Sequence, residues 1–116
     1  SCTAVTIRHD RGNHREKDDL RMSAYLVFIK EREHDAAAMA TYGGKAGPSL
    51  GGHPGKPLAF YGACETLEGP EALGTVIIEF PDMDAARAWY NSPAYQDARQ
   101  HRFQGADYRV ILTQGL

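Results

Sequence analysis

The sequence predicts an α+β domain of order β-α-β-β-α-α-β, in which helices cover one face of a four-stranded antiparallel sheet. Three observations lead to this prediction. Four short segments are rich in β-branched and aromatic residues, which suit pleated strands. Three segments with good capping residues separate them. Alternation in the strand segments places apolar side chains on both sheet faces. A chain of 116 residues has the usual size of one domain.

The first strand is predicted over residues 24–31, where AYLVFIKE is dense in strand-forming side chains. Residues 1–21 precede it and contain many charges but no apolar run. This N-terminal extension is expected to be a vector-derived leader, translation from upstream of a start at Met22, or a native arm. Alternating apolar residues within 3–9 would let such an arm add a strand to a sheet edge. The folded domain is expected to span residues 22–116.

The first helix is expected to begin after Asp35, whose carboxylate can accept the free amides of a first turn. Its end is open between two alternatives. Nearby glycines and Pro48 favour an end near Tyr42, because a proline inside a helix costs about 3 kcal/mol. An apolar stripe at helical spacing favours continuation to about Leu50 with a kink at Pro48. The stripe consists of Met39, Tyr42, Ala46 and Leu50.

The second and third strands are predicted over residues 57–65 and 72–80, joined by the turn-rich residues 66–71 as a hairpin. Alternate residues of the third strand should face opposite sides. Val76, Ile78 and Phe80 are expected to face the helices, and Thr75, Ile77 and Glu79 the open side. Tyr61 and Ala63 are expected to share the open side.

Two further helices are predicted before the last strand. Asp82 can cap a helix over residues 83–91. Ser92 followed by Pro93 starts another helix, because proline at the first helical position loses only an amide that would be unpaired anyway. This helix should run to about His101, and residues 106–113 alternate as the fourth strand.

The predicted order contains a split βαβ arrangement and so corresponds to a ferredoxin-like fold. With all helices on one side, the other sheet face would expose apolar side chains to water, which indicates an interaction surface. A second copy of the chain is the expected cover, because two-fold dimers are the commonest oligomers. The predicted assembly is therefore a dimeric α/β barrel.

The segment EFPDMDAARAWYNSPAYQ, residues 79–96, resembles the signature of the DUF1330 family, a domain of unknown function in the dimeric α/β-barrel superfamily. AYLVF at 24–28, the helix containing Tyr42 and KAGP, and the YGACETLEG stretch are also similar. The resemblance implies two ferredoxin-like protomers sharing a barrel, and it favours the longer first helix. It implies no reaction, since neighbouring families include cofactor-free oxygenases, haem enzymes and small isomerases.

Two residues are candidates for proton chemistry. Glu79 is a carboxylate inside a strand facing the predicted barrel, where it can serve as a proton acceptor. The simpler interpretation is that it pairs with a cation or is solvated at the sheet end. His53, in a Gly/Pro loop, can serve as an acid or base near a pocket mouth. A loop histidine is more often merely exposed.

Five aromatic residues are candidates for ligand binding, and the simpler alternative for each is core packing. Tyr61 is expected to lie diagonally from Glu79, where a phenol beside a carboxylate could orient a carbonyl substrate. The full set is Tyr42, Tyr61, Trp89, Tyr90 and Tyr95.

Composition excludes several functions. A net charge of −2 favours no nucleic-acid partner, and no stretch approaches a membrane span. No nucleotide motif or metal-ligand spacing is present, so no cofactor and no metal are expected. We expect a cytoplasmic homodimer that binds a small, partly apolar metabolite, with cofactor-independent proton chemistry at Glu79 and His53. The alternative is a non-enzymatic binding or accessory module whose barrel is filled with side chains.

Overall fold

The computed structural model describes residues 22–116, and the predictions made for residues 1–21 lie outside the described residues. The observed elements follow the predicted order. They are β1 (Ala24–Glu33), α1 (Ala36–Ser49), β2 (Lys56–Phe60), β3 (Gly74–Phe80), α2 (Met83–Tyr90), α3 (Pro93–Gly105) and β4 (Ala106–Gln114). No helix among these is long and apolar enough to cross a membrane.

The four strands form one antiparallel sheet of order β2-β3-β1-β4. The two central strands, β3 and β1, contain most of the buried residues of the sheet, because each has a neighbouring strand on both edges and helices on one face. This order and the helices on a single face confirm the ferredoxin-like α+β fold that the sequence predicts.

Side chains alternate between the two faces of the sheet as predicted. Val76, Ile78 and Phe80 of β3 are buried under the helices. Ile77 and Glu79 lie on the open face and are partly exposed. The same alternation in β1 buries Ala24, Leu26 and Phe28. The core therefore lies entirely between the sheet and the helices.

Helix α1 takes the longer of its two predicted courses. The Asp35 carboxylate accepts hydrogen bonds from the backbone N–H groups of Ala37 and Ala38, at 3.0 and 3.1 Å. The helix continues through Pro48 to Ser49. Burial of Tyr42 and partial burial of the rest of the stripe outweigh the weak helix propensity of the intervening glycines.

Four predicted boundaries are wrong by two residues or more. β1 ends at Glu33 instead of residue 31. β2 ends at Phe60 instead of residue 65, because Tyr61 takes a positive φ of 53° that turns the chain out of the strand. β3 begins at Gly74, two residues later than predicted. Helix α3 continues past His101 to Gly105, whose carbonyl accepts hydrogen bonds from the N–H groups of His34 and Asp35. This contact joins the end of α3 to the start of α1.

Glycine positions give a first testable prediction. A Cβ at Gly44, on the exposed side of α1, would meet nothing within 4 Å in the part of the chain that the structure describes. Gly44→Ala should therefore raise the free energy of unfolding by about 0.5–1 kcal/mol, because alanine loses less conformational entropy in a helix. A Cβ at Gly74 would come 2.8 Å from Cδ1 of Tyr61, so Gly74→Ala should be destabilising. Denaturant titration of both variants checks the two signs, and a shared sign would contradict the packing described.

Candidate functional site

An apolar pocket of about 480 Å³ lies between helix α1 and the helix-covered face of the sheet. Its floor is formed by Phe28 of β1 and by Val76 and Ile78 of β3, with Trp89 behind them. Phe60, at the end of β2, stands opposite Val76 and closes one side. The volume falls within the range of sites for small molecules.

The pocket exists because several α1 residues that line it have small side chains or none. Ala36, Ala40, Gly43 and Gly47 repeat at helical spacing along one flank, beside the larger stripe residues Met39, Tyr42 and Leu50, which also line the pocket. A Cβ at Gly43 or Gly47 would meet nothing within 4 Å among the described residues. The helix is held in place by its contact with α3, so the sheet does not close up against the missing side chains.

Two charged side chains line the pocket. Lys30 has the same parity in β1 as Leu26 and Phe28, so its side chain projects toward the helices. Its Nζ forms an ion pair with the Glu33 carboxylate. The Lys30 side chain is 17% exposed and that of Glu33 is 37% exposed, which places the ammonium deeper than the carboxylate.

Tyr61 lies on the pocket side of the sheet, and the prediction that it shares the open face with Glu79 is wrong. The positive φ at this residue ends β2 and swings the ring over Gly74, whose missing Cβ leaves room for it. The Tyr61 hydroxyl forms a hydrogen bond with the hydroxyl of Tyr108 in β4. Ala63 likewise lies beyond the end of β2.

A second pair of phenols lies behind the pocket. The hydroxyls of Tyr42 and Tyr95 are 2.9 Å apart and buried. Burial raises the pKa of Tyr42, and so does the neighbouring Tyr95. Burial also raises the pKa of Tyr95 and of Tyr108. All three therefore remain protonated at neutral pH and can act as hydrogen-bond donors.

Arg102 of α3 lies among these phenols and is only 3% exposed. Its guanidinium carbon is 5.1 Å from the centre of the Tyr108 ring, 5.8 Å from Phe28 and 6.0 Å from Tyr42. The Nε atom is buried without a hydrogen-bond partner among residues 22–116. This positive charge opposes the effect of burial on the pKa of Tyr95 and Tyr108.

The predicted site residues fall into three groups. Tyr42, Tyr61 and Trp89 line the pocket. Tyr95 is fully buried and Tyr90 partly so, and both pack against Trp89, with ring centres 4.2 and 6.5 Å from it. The core-packing alternative describes these two well.

Glu79 and His53 lie away from the pocket. Glu79 is on the other face of the sheet, where the Tyr25 hydroxyl donates a hydrogen bond to it at 3.2 Å. His53 follows α1, and its backbone N–H donates to the Leu50 carbonyl at 2.9 Å. Neither residue lines the pocket. Their roles in proton chemistry stay predictions.

Sequence reasoning missed Lys30 and Tyr108. The signal for Lys30 was its even spacing from Leu26 and Phe28, which already indicated a lysine on the helix-facing side. Tyr108 has the same parity as the partly buried Val110. Arg102 lies about one turn from Arg99 in the sequence, a spacing that fits either an anion-binding pair or a solvated helix end. The structure buries Arg102, which is only 3% exposed, so the solvated alternative is wrong for this residue.

A ferredoxin-like sheet with a pocket under its first helix defines a small α+β domain with room for a ligand. The chain belongs to the DUF1330 family, described as a domain of unknown function, whose model matches residues 23–116. No protein with a curated function matches the chain.

Solved structures share the fold. RPA0582, a protein of unknown function from Rhodopseudomonas palustris, is 25% identical with a TM-score of 0.64, over 96% of this chain and 92% of that one. SnoaB, a cofactor-independent oxygenase from Streptomyces nogalater, is 11% identical with a TM-score of 0.60, over 82% and 94%. A dimeric ferredoxin-like protein of unknown function from Bacteroides fragilis is 12% identical with a TM-score of 0.56, over 80% and 95%.

Proposed function

We propose that this protein is a homodimer that binds a small, largely apolar metabolite in the pocket under α1. The observation that carries the proposal is the pocket of about 480 Å³ with an apolar floor and a few polar groups at its wall. Such a combination is typical of small-molecule sites, where apolar surface supplies affinity and a few polar atoms orient the ligand.

The proposed dimer rests on the open face of the sheet. An apolar row crosses all four strands there, because Ala59 lies opposite Ile77, Ile77 opposite Val27, and Val27 opposite Ile111. A continuous apolar surface of this kind is costly to leave in water. The fold neighbour from Bacteroides fragilis is described as dimeric, which supports a second copy of this chain as the cover.

Cofactor-independent proton chemistry is a finer form of the same proposal. Tyr61 holds an exchangeable proton at the pocket wall, and Lys30 lies within the same pocket. The described activity of SnoaB offers an analogy at the level of fold alone. In this proposal Tyr42, Tyr61 and Trp89 contact the ligand, and Tyr90 and Tyr95 support Trp89 from behind. Glu79 and His53 have no contact with the ligand.

The alternative function is a non-enzymatic module whose barrel is filled with side chains, and the interior of that barrel is not the pocket under α1. That barrel would form between two protomers on the open face, whereas the pocket lies on the helix-covered face. A filled barrel is therefore compatible with ligand binding under α1, and turnover of the bound compound is what separates an enzyme from a binding module.

Filling the pocket tests the proposal. A Gly47→Leu side chain would project into the pocket, whereas Gly44→Leu places the same side chain on the outer side of the same helix. A thermal-shift screen of small planar compounds should find ligands that stabilise the wild type and Gly44→Leu. At a ligand concentration 100 times Kd the expected gain is about 2.7 kcal/mol.

Gly47→Leu should lose most of that gain while unfolding at a similar temperature without ligand. Equal stabilisation of Gly47→Leu would place the ligand elsewhere and contradict the proposal. A wild type that binds none of the compounds would contradict it as well.

A further inference from the structure

The polar wall of the pocket has hydrogen-bond donors that no acceptor of the described residues occupies. Tyr61 and Tyr108 together have two hydroxyl protons, and their mutual hydrogen bond uses one of them. Tyr42 and Tyr95 likewise share one of two protons. In each pair one O–H group therefore remains free to donate a hydrogen bond to an acceptor outside the pair. Tyr61 and Tyr42 are the members of the two pairs that line the pocket.

Arg102 adds a further unoccupied donor behind this wall. It is only 3% exposed, and its Nε–H has no acceptor among the described residues. No carboxylate of residues 22–116 forms an ion pair with it. A buried cation with no counter-ion among these residues is costly, so its environment favours an incoming negative charge.

The charged side chains at and near the pocket also favour an anionic ligand, because positive groups outnumber negative ones. Lys30 and Arg102 both lie next to Tyr108, since Lys30 is opposite Tyr108 in the sheet register and the Arg102 guanidinium carbon is 5.1 Å from the centre of its ring. Among the pocket-lining residues only Glu33 is acidic, and it is the more exposed partner of Lys30. Two cations thus face one carboxylate, and that carboxylate can turn to solvent when an anion reaches Lys30.

We propose that the pocket selects apolar compounds that carry an oxyanion, a carboxylate or a phenolate, and that the Tyr61–Tyr108 hydroxyl pair receives this oxyanion in the field of Arg102 and Lys30. The proposal rests on the proposed function, because it assigns the ligand class of the same pocket. The apolar floor holds the body of the ligand, and Tyr61 donates the unused proton of the pair to its charged oxygen. The raised pKa of Tyr108 keeps this partner protonated at neutral pH.

Three probes of nearly equal shape test the charge preference by calorimetry. 2-Naphthoate carries a carboxylate, 2-naphthamide is its neutral counterpart, and 2-naphthol supplies a phenolate at raised pH. We expect 2-naphthoate to bind at least about tenfold more tightly than 2-naphthamide, because a hydrogen bond to a charged group contributes more than one to a neutral group. A rise in 2-naphthol affinity as it ionises would extend the class to phenolates, and its absence would restrict the class to carboxylates.

Removing single hydroxyl groups tests the assigned contact. Tyr61→Phe and Tyr108→Phe should each weaken 2-naphthoate about tenfold and leave 2-naphthamide nearly unchanged. Tyr25→Phe is the matched control, because its hydroxyl bonds Glu79 on the opposite face of the sheet. It should leave the affinity for both compounds unchanged.

The outcomes separate this proposal from the previous one. Equal affinity for the acid and the amide, both lost in Gly47→Leu, would retain the ligand pocket and overturn the oxyanion preference. Unchanged 2-naphthoate binding in Tyr61→Phe and Tyr108→Phe would also overturn it. Failure of 2-naphthoate to bind would overturn it too, and the wider compound screen then decides whether the pocket binds ligands at all.

Discussion

Replacing Val27 with lysine is expected to convert the protein from a homodimer to a monomer. Val27 stands at the centre of the apolar row on the open face, between Ile77 and Ile111. In the proposed dimer a lysine there would be buried without a partner, which costs about 3–5 kcal/mol of binding free energy. The dimer dissociation constant should therefore rise at least about a hundredfold.

Light scattering provides the measurement. The wild type should have twice the 12.8 kDa chain mass, and Val27→Lys should have the mass of one chain. Gln100→Lys is the control, because it adds the same charge at an exposed position of α3. Circular dichroism should show the same secondary structure in all three proteins. A monomeric wild type, or a Val27→Lys variant that remains dimeric, would show that the open face is not the interface.

Replacing Trp89 with alanine is expected to lower the free energy of unfolding by about 3–5 kcal/mol. Trp89 is 2% exposed, and its ring packs against Phe80 and Tyr95, with ring centres 5.8 and 4.2 Å away. Its indole N–H donates a hydrogen bond to the Ser49 hydroxyl at 3.0 Å, which ties α2 to the end of α1. The alanine variant loses this bond, the aromatic contacts and a large buried volume together.

Two variants make the measurement specific. Phe60→Ala removes an aromatic side chain that is 70% exposed, and it should cost less than about 1 kcal/mol. Trp89→Phe keeps an aromatic ring but loses the bond to Ser49, so its cost should lie between those of the two alanine variants. Denaturant titration gives all three values. A similar loss for Trp89→Ala and Phe60→Ala would contradict the assignment of Trp89 to the centre of the core.

Much of the fold could be predicted because its signals are local. The helix starts are indicated by the capping residues Asp35, Asp82 and Ser92. Each of these side chains accepts a hydrogen bond from a backbone N–H group, as expected. Helix ends and short strands were harder to predict, because burial decided them. The stripe through Tyr42 carries α1 across Pro48, and the turn at Tyr61 shortens β2, although local preferences favoured the opposite result in both places.

The candidate site was predicted less well, and Tyr61 shows why. In a regular strand its parity would place the ring beside Glu79, but one backbone angle at the end of β2 moves it to the other face. The space under α1 also left little trace in the sequence. From local sequence alone, Gly43 and Gly47 are helix-breaking residues. The space beside them stays open as a cavity only because the packing of α1 against α3 holds the helix away from the sheet.

Taken alone, the amino-acid sequence determined the order of elements and the faces of the central strands, because capping and alternation depend on residues close together in the chain. The resemblance of residues 79–96 to a family signature indicated the family, which the match over residues 23–116 confirms. Tertiary structure alone decided that Lys30 and Tyr61 line one pocket, with Tyr108 bonded to the Tyr61 hydroxyl and Arg102 next to the Tyr108 ring. Those residues come from four different segments, and their meeting depends on strand register, on one left-handed residue and on the distance between two packed helices.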